Sequence, residues 1–222
     1  MTETGCIRRT RAGWVGPWAA AVIATAAGAG CAAVPQMGSD LSTAGVARVT
    51  ELLVPSGYGS LLQDHITLTL RTEEIVLRVT PLEEWVLRLT APDTWSRLSS
   101  LASIHRDEVT RQTGEDKASL FLVSFFSLTP GASFRPQDLQ IENRGRLMRP
   151  LLIRPLTTGW GQERLEQEEA QLAVYAFSER VDLEQALAVE YASQVSSGWE
   201  GVLRILELER GRASARAGLG TT

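Results

Sequence analysis

The run from Ala118 to Leu128 constrains the fold more than any other part of the chain. It reads ASLFLVSFFSL and holds Phe121, Phe125 and Phe126, three of the chain's five phenylalanines. Both alternating faces are apolar, and a strand of that kind belongs between two layers. One face is expected to meet an opposing sheet, which leaves the other for a helix. Pro130-Gly131 ends the run.

Alternation of period two surrounds it. Ile66, Leu68 and Leu70 fall on one face of His65–Arg71, with Thr67, Thr69 and Arg71 on the other, the pattern of a half-buried strand. Ile75, Leu77 and Val79 repeat the pattern, and so do Trp85, Leu87 and Leu89. Three short antiparallel strands in a row are expected, joined through Thr72-Glu73 and through Thr80–Glu83. The period then changes. Pro92-Asp93-Thr94 reads as a helix start with Asp93 as N-cap. Trp95, Leu98, Leu101, Ala102, His105 and Val109 follow at helical spacing, and Gly114 is a natural stop after about five turns.

Further along, Leu139–Asn143 and Leu147–Ile153 flank Arg144-Gly145-Arg146, a hairpin-like turn. Pro150 and Pro155 cannot donate to a ladder, so this segment is placed at an edge or a bulge. Gln171–Phe177 and Ala186–Tyr191 read as two more strands. Ser197 and Glu200 have capping-box spacing, and Trp199, Val202, Leu203 and Leu206 continue at helical spacing. A strand through Val202, Leu206 and Leu208 is the other reading of that segment. The fold class is mainly β: an antiparallel β-sandwich, immunoglobulin-like in the loose sense, with one inserted amphipathic helix and a C-terminal helix. A small barrel with a helix lid is the alternative. No long-period repeat points to a solenoid or propeller.

Length and cysteine usage bound the organisation. Removing thirty residues from 222 leaves 192, enough for one core without covalent staples. The only cysteines are Cys6 and Cys31, so no disulfide, thiolate metal site or cysteine nucleophile is expected inside the body. Residues 1–30 read as a signal peptide, 31–60 as a flexible stalk and lead-in, 61–212 as the sandwich domain and 213–222 as a disordered tail. Arg8, Arg9, Arg11 and Glu3 are the charged residues of the first thirty. Taking them from 22 basic and 26 acidic residues leaves 19 against 25. A mildly acidic body of that kind speaks against nucleic acid as a partner.

The N-terminal segment carries the clearest functional signal. A short basic stretch precedes Trp14–Gly30, which is uncharged and rich in alanine, and small residues lead to a cleavage point. Gly28-Ala29-Gly30-Cys31 resembles the lipobox of bacterial lipoproteins, with Gly28 standing where that family usually has leucine or another aliphatic. The resemblance implies that Cys31 is diacylated and becomes the first residue of the mature chain. It further implies an extracytoplasmic protein anchored by lipid, facing the periplasm or the cell exterior. Ala32 stands where an aspartate resembles an inner-membrane retention signal in some bacteria, which points to the outer membrane where one exists. A cleaved, unlipidated signal and an uncleaved anchor are the competing readings. The residues after Cys31 are small and polar, with the composition of a stalk.

Catalytic signatures are sparse. The two histidines, His65 and His105, stand in no metal-binding or phosphate-loop motif. The acidic pairs Glu73-Glu74, Glu83-Glu84, Glu115-Asp116 and Glu168-Glu169 fall at strand ends and connections, where solvated charge is the ordinary explanation. Five arginines lie between Arg135 and Arg154, offset by Asp138 and Glu142. Of these, Arg144, Arg146 and Arg149 form a candidate patch for an anionic partner, or else a charged edge that discourages aggregation. Trp160 sits in a glycine-bordered loop, as a contact point or as a plug at one end of the sandwich. No cofactor, metal or enzymatic activity is expected. The leading functional expectation is a membrane-tethered, non-catalytic domain that binds an envelope protein or helps assemble something at the membrane. The alternative is a module for a small or lipidic ligand held between the sheet and the 93–113 helix, and an enzyme of unrecognised type ranks third.

Overall fold

Strand β3 (Ser119–Ser127) is the middle strand of a five-stranded antiparallel sheet, as its two apolar faces require. The computed structural model describes residues 54–178 and 180–218. In this sheet β1 (Leu68–Arg71) pairs with β2 (Ile75–Pro81), and β2 pairs with β3. On its other side β3 pairs with β9 (Ala170–Phe177), which pairs with β7 (Leu152–Pro155). A second antiparallel sheet has the order β11 (Gln194–Ser196), β10 (Leu187–Tyr191), β5 (Gln140–Asn143), β6 (Arg146–Met148). A third, two-stranded sheet joins β4 (Ala132–Ser133) to β8 (Arg164–Leu165). Among the described residues the protein is mainly β, with eleven strands in a sandwich-like arrangement, one inserted helix and a C-terminal helix.

The register of β3 shows which face meets which layer. Leu122 lies opposite Val174, and Val174 opposite Arg154 on β7, so these three share a face. Arg154 forms an ion pair with Glu108 of the long helix α2 (Pro92–Thr113), which places α2 over this face. On the opposite face Phe125 packs its ring 5.4 Å from that of Tyr191 on β10, joining the two larger sheets. At their common edge the Ser196 hydroxyl on β11 donates to the Thr69 carbonyl on β1, at 3.1 Å.

Several elements depart from the sequence reading. Trp85, Leu87 and Leu89 are not a third strand. Glu84–Leu87 is a single helical turn, α1, with the Val86 and Leu87 amides both bonded to the Glu83 carbonyl at 3.0 Å. Val86 and Leu87 are adjacent and both buried, which alternation forbids and a helical turn allows. The edge of β2 that such a strand would have used is taken by β3, which arrives after α2. Helix α2 starts at Pro92 with Ala91 at the N-cap, so Asp93 lies in the first turn and makes no cap bond. Gly114 ends the helix with φ 73°, as its lack of a Cβ permits.

The C-terminal helix α3 (Trp199–Arg216) begins at Gly198 without a side-chain cap, so the Ser197 and Glu200 capping box is not made. It runs past residue 212 and buries Ala213 completely, so residues 213–216 belong to the fold and not to a tail. The lead-in also packs earlier than expected. Gly59 is buried, and Leu61 bridges to Thr90 in parallel. The Glu209 carboxylate, only 2 % exposed, accepts from both the backbone amide and the hydroxyl of Ser60. Arg216 pairs with the same carboxylate and donates to the Tyr58 carbonyl at 2.8 Å. Three of these contacts stitch residues 58–60 to α3, and with Arg216 they satisfy a carboxylate that would be costly to bury alone.

Between α2 and β7 sits a charged cluster. Glu108 takes Arg154 on one oxygen and has His105 Nδ1 3.3 Å from the other. Burial, and then the charge of Arg154, hold His105 below the ordinary histidine value of 6.5. The folded protein therefore favours the neutral imidazole, and the unfolded chain takes up the proton first as pH falls. The contribution of His105 to stability is complete above the unfolded value and is lost as pH drops through the lower folded one. Between about pH 7 and about pH 5 the native protein is expected to lose more melting temperature than a His105→Gln variant. Equal losses would remove His105 from the account.

Candidate functional site

Asn143 organises a part of the surface that carries two grooves. Its side-chain amide donates to the carbonyls of Asp182 and Ala186 at 3.0 and 2.9 Å, and its oxygen accepts from the Asp182 amide at 2.9 Å. Ser119 Oγ accepts from the Val181 amide at 2.8 Å, and Trp199 Nε1 donates to the Leu183 carbonyl at 2.8 Å. These bonds come from β5, β3 and α3, and they fix the 181–186 connection between β9 and β10. A loop pinned at both backbone and side chain holds its outward residues in place before any partner arrives.

Two adjoining grooves flank this loop. The larger, about 570 Å³, runs between Trp85 of α1, Val181–Glu184 and Arg210 of α3, with Val54 at its margin. The smaller, about 380 Å³, is lined by Glu142, the Arg144-Gly145 turn, Gln185–Ala188, Ser197 and Glu200. Arg144 borders both. Arg210 lies over the Trp85 ring, 4.9 Å from its centroid, and 3.8 Å from Glu184. Arg144 is paired with Asp182. Arg180, also on the larger groove, is exposed and makes no ion pair or hydrogen bond among the described residues. The walls therefore offer an aromatic face, apolar Leu89 and Leu183, and charges of both signs. Such a lining suits a polypeptide partner.

The predicted site residues fall differently from one another. Asn143 pairs with Arg146 across a two-residue turn, and Arg144 and Gly145 have φ of 54° and 70°. That is the hairpin geometry whose twist matches its strands. Arg144 turns to Asp182 and the grooves, Arg146 opens β6, and Arg149 is exposed beyond its end. Trp160 is not a surface contact. It is 9 % exposed and stands among Phe134, Phe125 and Tyr175 at ring distances of 5.2, 5.8 and 6.4 Å, so it plugs the core. In the same cluster burial pushes the Tyr175 phenol far above its ordinary range, and its hydroxyl donates to the Pro136 carbonyl at 2.9 Å. Cys31 and the export and stalk segments up to residue 53 lie outside the described residues.

Neither histidine borders either groove. His65 Nδ1 accepts from the Leu62 amide at 3.1 Å in a surface turn, and His105 belongs to the α2–β7 cluster. Among the described residues no three His, Cys, Asp or Glu side chains gather as a metal site would require, and no helix is long and apolar enough to cross a membrane. Trp85, Arg180 and Arg210 were not singled out by sequence. They come from three separate segments, and no local pattern joins them. Compared with protein-family models, curated protein sequences and solved structures, the chain has no match in any of the three.

Proposed function

We propose that the chain is an exported protein held to a membrane by lipid on Cys31, and that its body is a non-catalytic domain engaging an envelope protein partner. The tether half rests on the basic start, the uncharged stretch and the Gly28–Cys31 segment. The partner half rests on the pair of grooves that share Arg144. Their floor is pinned by Asn143, and their walls combine Trp85 with charges of both signs. Aromatic and arginine side chains are the residues that anchor protein interfaces. Of the grooves' lining residues only Ser197 carries a hydroxyl, and no histidine, cysteine or lysine is among them.

A ligand pocket under the 93–113 helix draws less support. Leu98, Ala102 and Val109 of α2 are buried in the common core, and neither groove borders that helix. Intact mass and membrane fractionation of the full chain in a bacterial host, beside Cys31→Ala, test the tether. The expected result is a product beginning at acylated Cys31 that loses its acyl mass and its membrane association in the variant. Identical, soluble products would overturn it. Photo-crosslinking from position 180 in intact cells tests the partner, with position 117 as control. A discrete adduct from 180 alone is expected, and its absence would overturn the partner half.

A further inference from the structure

Helix α3 buries Trp199, Val202, Leu206, Glu209 and Ala213, which leaves the opposite side to solvent. That side is not an ordinary charged helix face. Leu208 is 63 % and Ile205 39 % exposed, and Arg204, Leu208 and Arg212 follow one another at i, i+4 and i+8. Neither Arg204 nor Arg212 has a hydrogen-bond or ion-pair partner among the described residues. The exposed acids Glu200 and Glu207 are displaced from Leu208 by about 80 to 100° around the axis. An apolar strip bordered by unpaired arginines, with its acids turned aside, is the chemistry of a helix that lies on a lipid surface.

We infer that the outer face of α3 docks on an anionic bilayer surface, with Leu208 and Ile205 toward the acyl boundary and Arg204 and Arg212 at the headgroups. The inference rests on the lipid tether proposed above. Residues 58–60 are stitched to α3 through Glu209 and Arg216, so the chain enters the body along this helix. Between Cys31 and Val54 lie 22 residues, which span no more than about 80 Å at full extension. An anchored chain therefore keeps the body within that distance of the bilayer and raises the effective concentration of this face there. A twofold pairing of two such faces is less suited to them. It would set the unpaired arginines of both copies together, with acids only on the flank.

The test places a polarity-sensitive dye on the full chain at Leu208→Cys, with Val195→Cys on β11 as control and peptide mapping to verify the labelled position. Protein is reconstituted into vesicles of phosphatidylcholine alone or mixed with phosphatidylglycerol. At position 208 the emission is expected to move to the blue and acrylamide quenching to fall severalfold, only in the mixed vesicles and not from position 195. No response, or the same response in both vesicles, overturns the docking. A blue shift at 208 that grows with protein concentration and needs no vesicles assigns the face to a second copy, and overturns it too. Intact mass from the same samples separates the two readings. Acylated Cys31 with a silent dye sinks the docking alone, whereas a response from a chain unmodified at Cys31 sinks the tether and leaves the docking standing.

Discussion

Replacing Gly59 by alanine is expected to cost more than about 3 kcal/mol of stability, although it adds a single methyl group. A Cβ at this position would stand 2.2 Å from the Leu89 carbonyl carbon, 2.4 Å from its oxygen and 2.6 Å from the Thr90 carbonyl oxygen. All three are backbone atoms, so no rotamer change relieves the clash. The two strips of chain are also held together, by Leu61 N–H to the Leu89 carbonyl at 3.1 Å and Ala91 N–H to the Leu61 carbonyl at 2.9 Å. Moving either strip breaks these bonds. Gly57 provides the control. It has φ 92° with open space around it, so alanine there meets only the backbone penalty of about 1 kcal/mol. Urea unfolding of both variants beside the native chain decides the matter, and a Gly59→Ala midpoint equal to that of the native chain would show that the lead-in is not packed there.

Trp160→Ala is expected to cost about 3 to 5 kcal/mol, the range for removing a buried indole. The ring shares its contacts with Phe125, Phe134 and Tyr175, and Phe125 in turn reaches Tyr191 in the facing sheet. Deleting it opens a cavity where the two larger sheets are joined by aromatic rings. Trp160→Phe retains part of the edge-to-face packing and is expected to cost less than the alanine change. Denaturant unfolding gives the magnitudes, and near-ultraviolet circular dichroism reports whether the cluster keeps its order. A loss for Trp160→Ala below about 1 kcal/mol would place the ring at the surface after all.

How far the sequence could be read depended on whether one period had a competitor. The Phe-rich run had little competition, since its phenylalanines and the Pro130-Gly131 stop favour a central strand over a buried helix, and β3 lies where that argument puts it. Arg144-Gly145 carried the glycine that a two-residue hairpin prefers, and the hairpin formed there. Trp85–Leu89 misled because four of its five residues are apolar, so alternation and a helical turn both fit. The hairpin from β10 to β11 was missed for the opposite reason. Its turn is Ala192-Ser193, with φ of 49° and 62°, a conformation usually reserved for asparagine and glycine. No local signal announces such a turn, and surrounding structure must hold it. The grooves lay beyond local reading altogether, because Trp85, Arg144, Arg180 and Arg210 meet only through the topology.

The stitch between Ser60 and Glu209 links residues 149 positions apart in the chain. During synthesis the earlier partner emerges first and waits. Gly59 can settle against Leu89 soon after, but Glu209 and Arg216 arrive only when nearly the whole domain has passed. The clasp that holds the lead-in can thus close only after α3 has been made. Contacts of such separation are slow to form because a long loop must be ordered before they repay it. The domain consequently finishes folding where its first described residues meet its last helix.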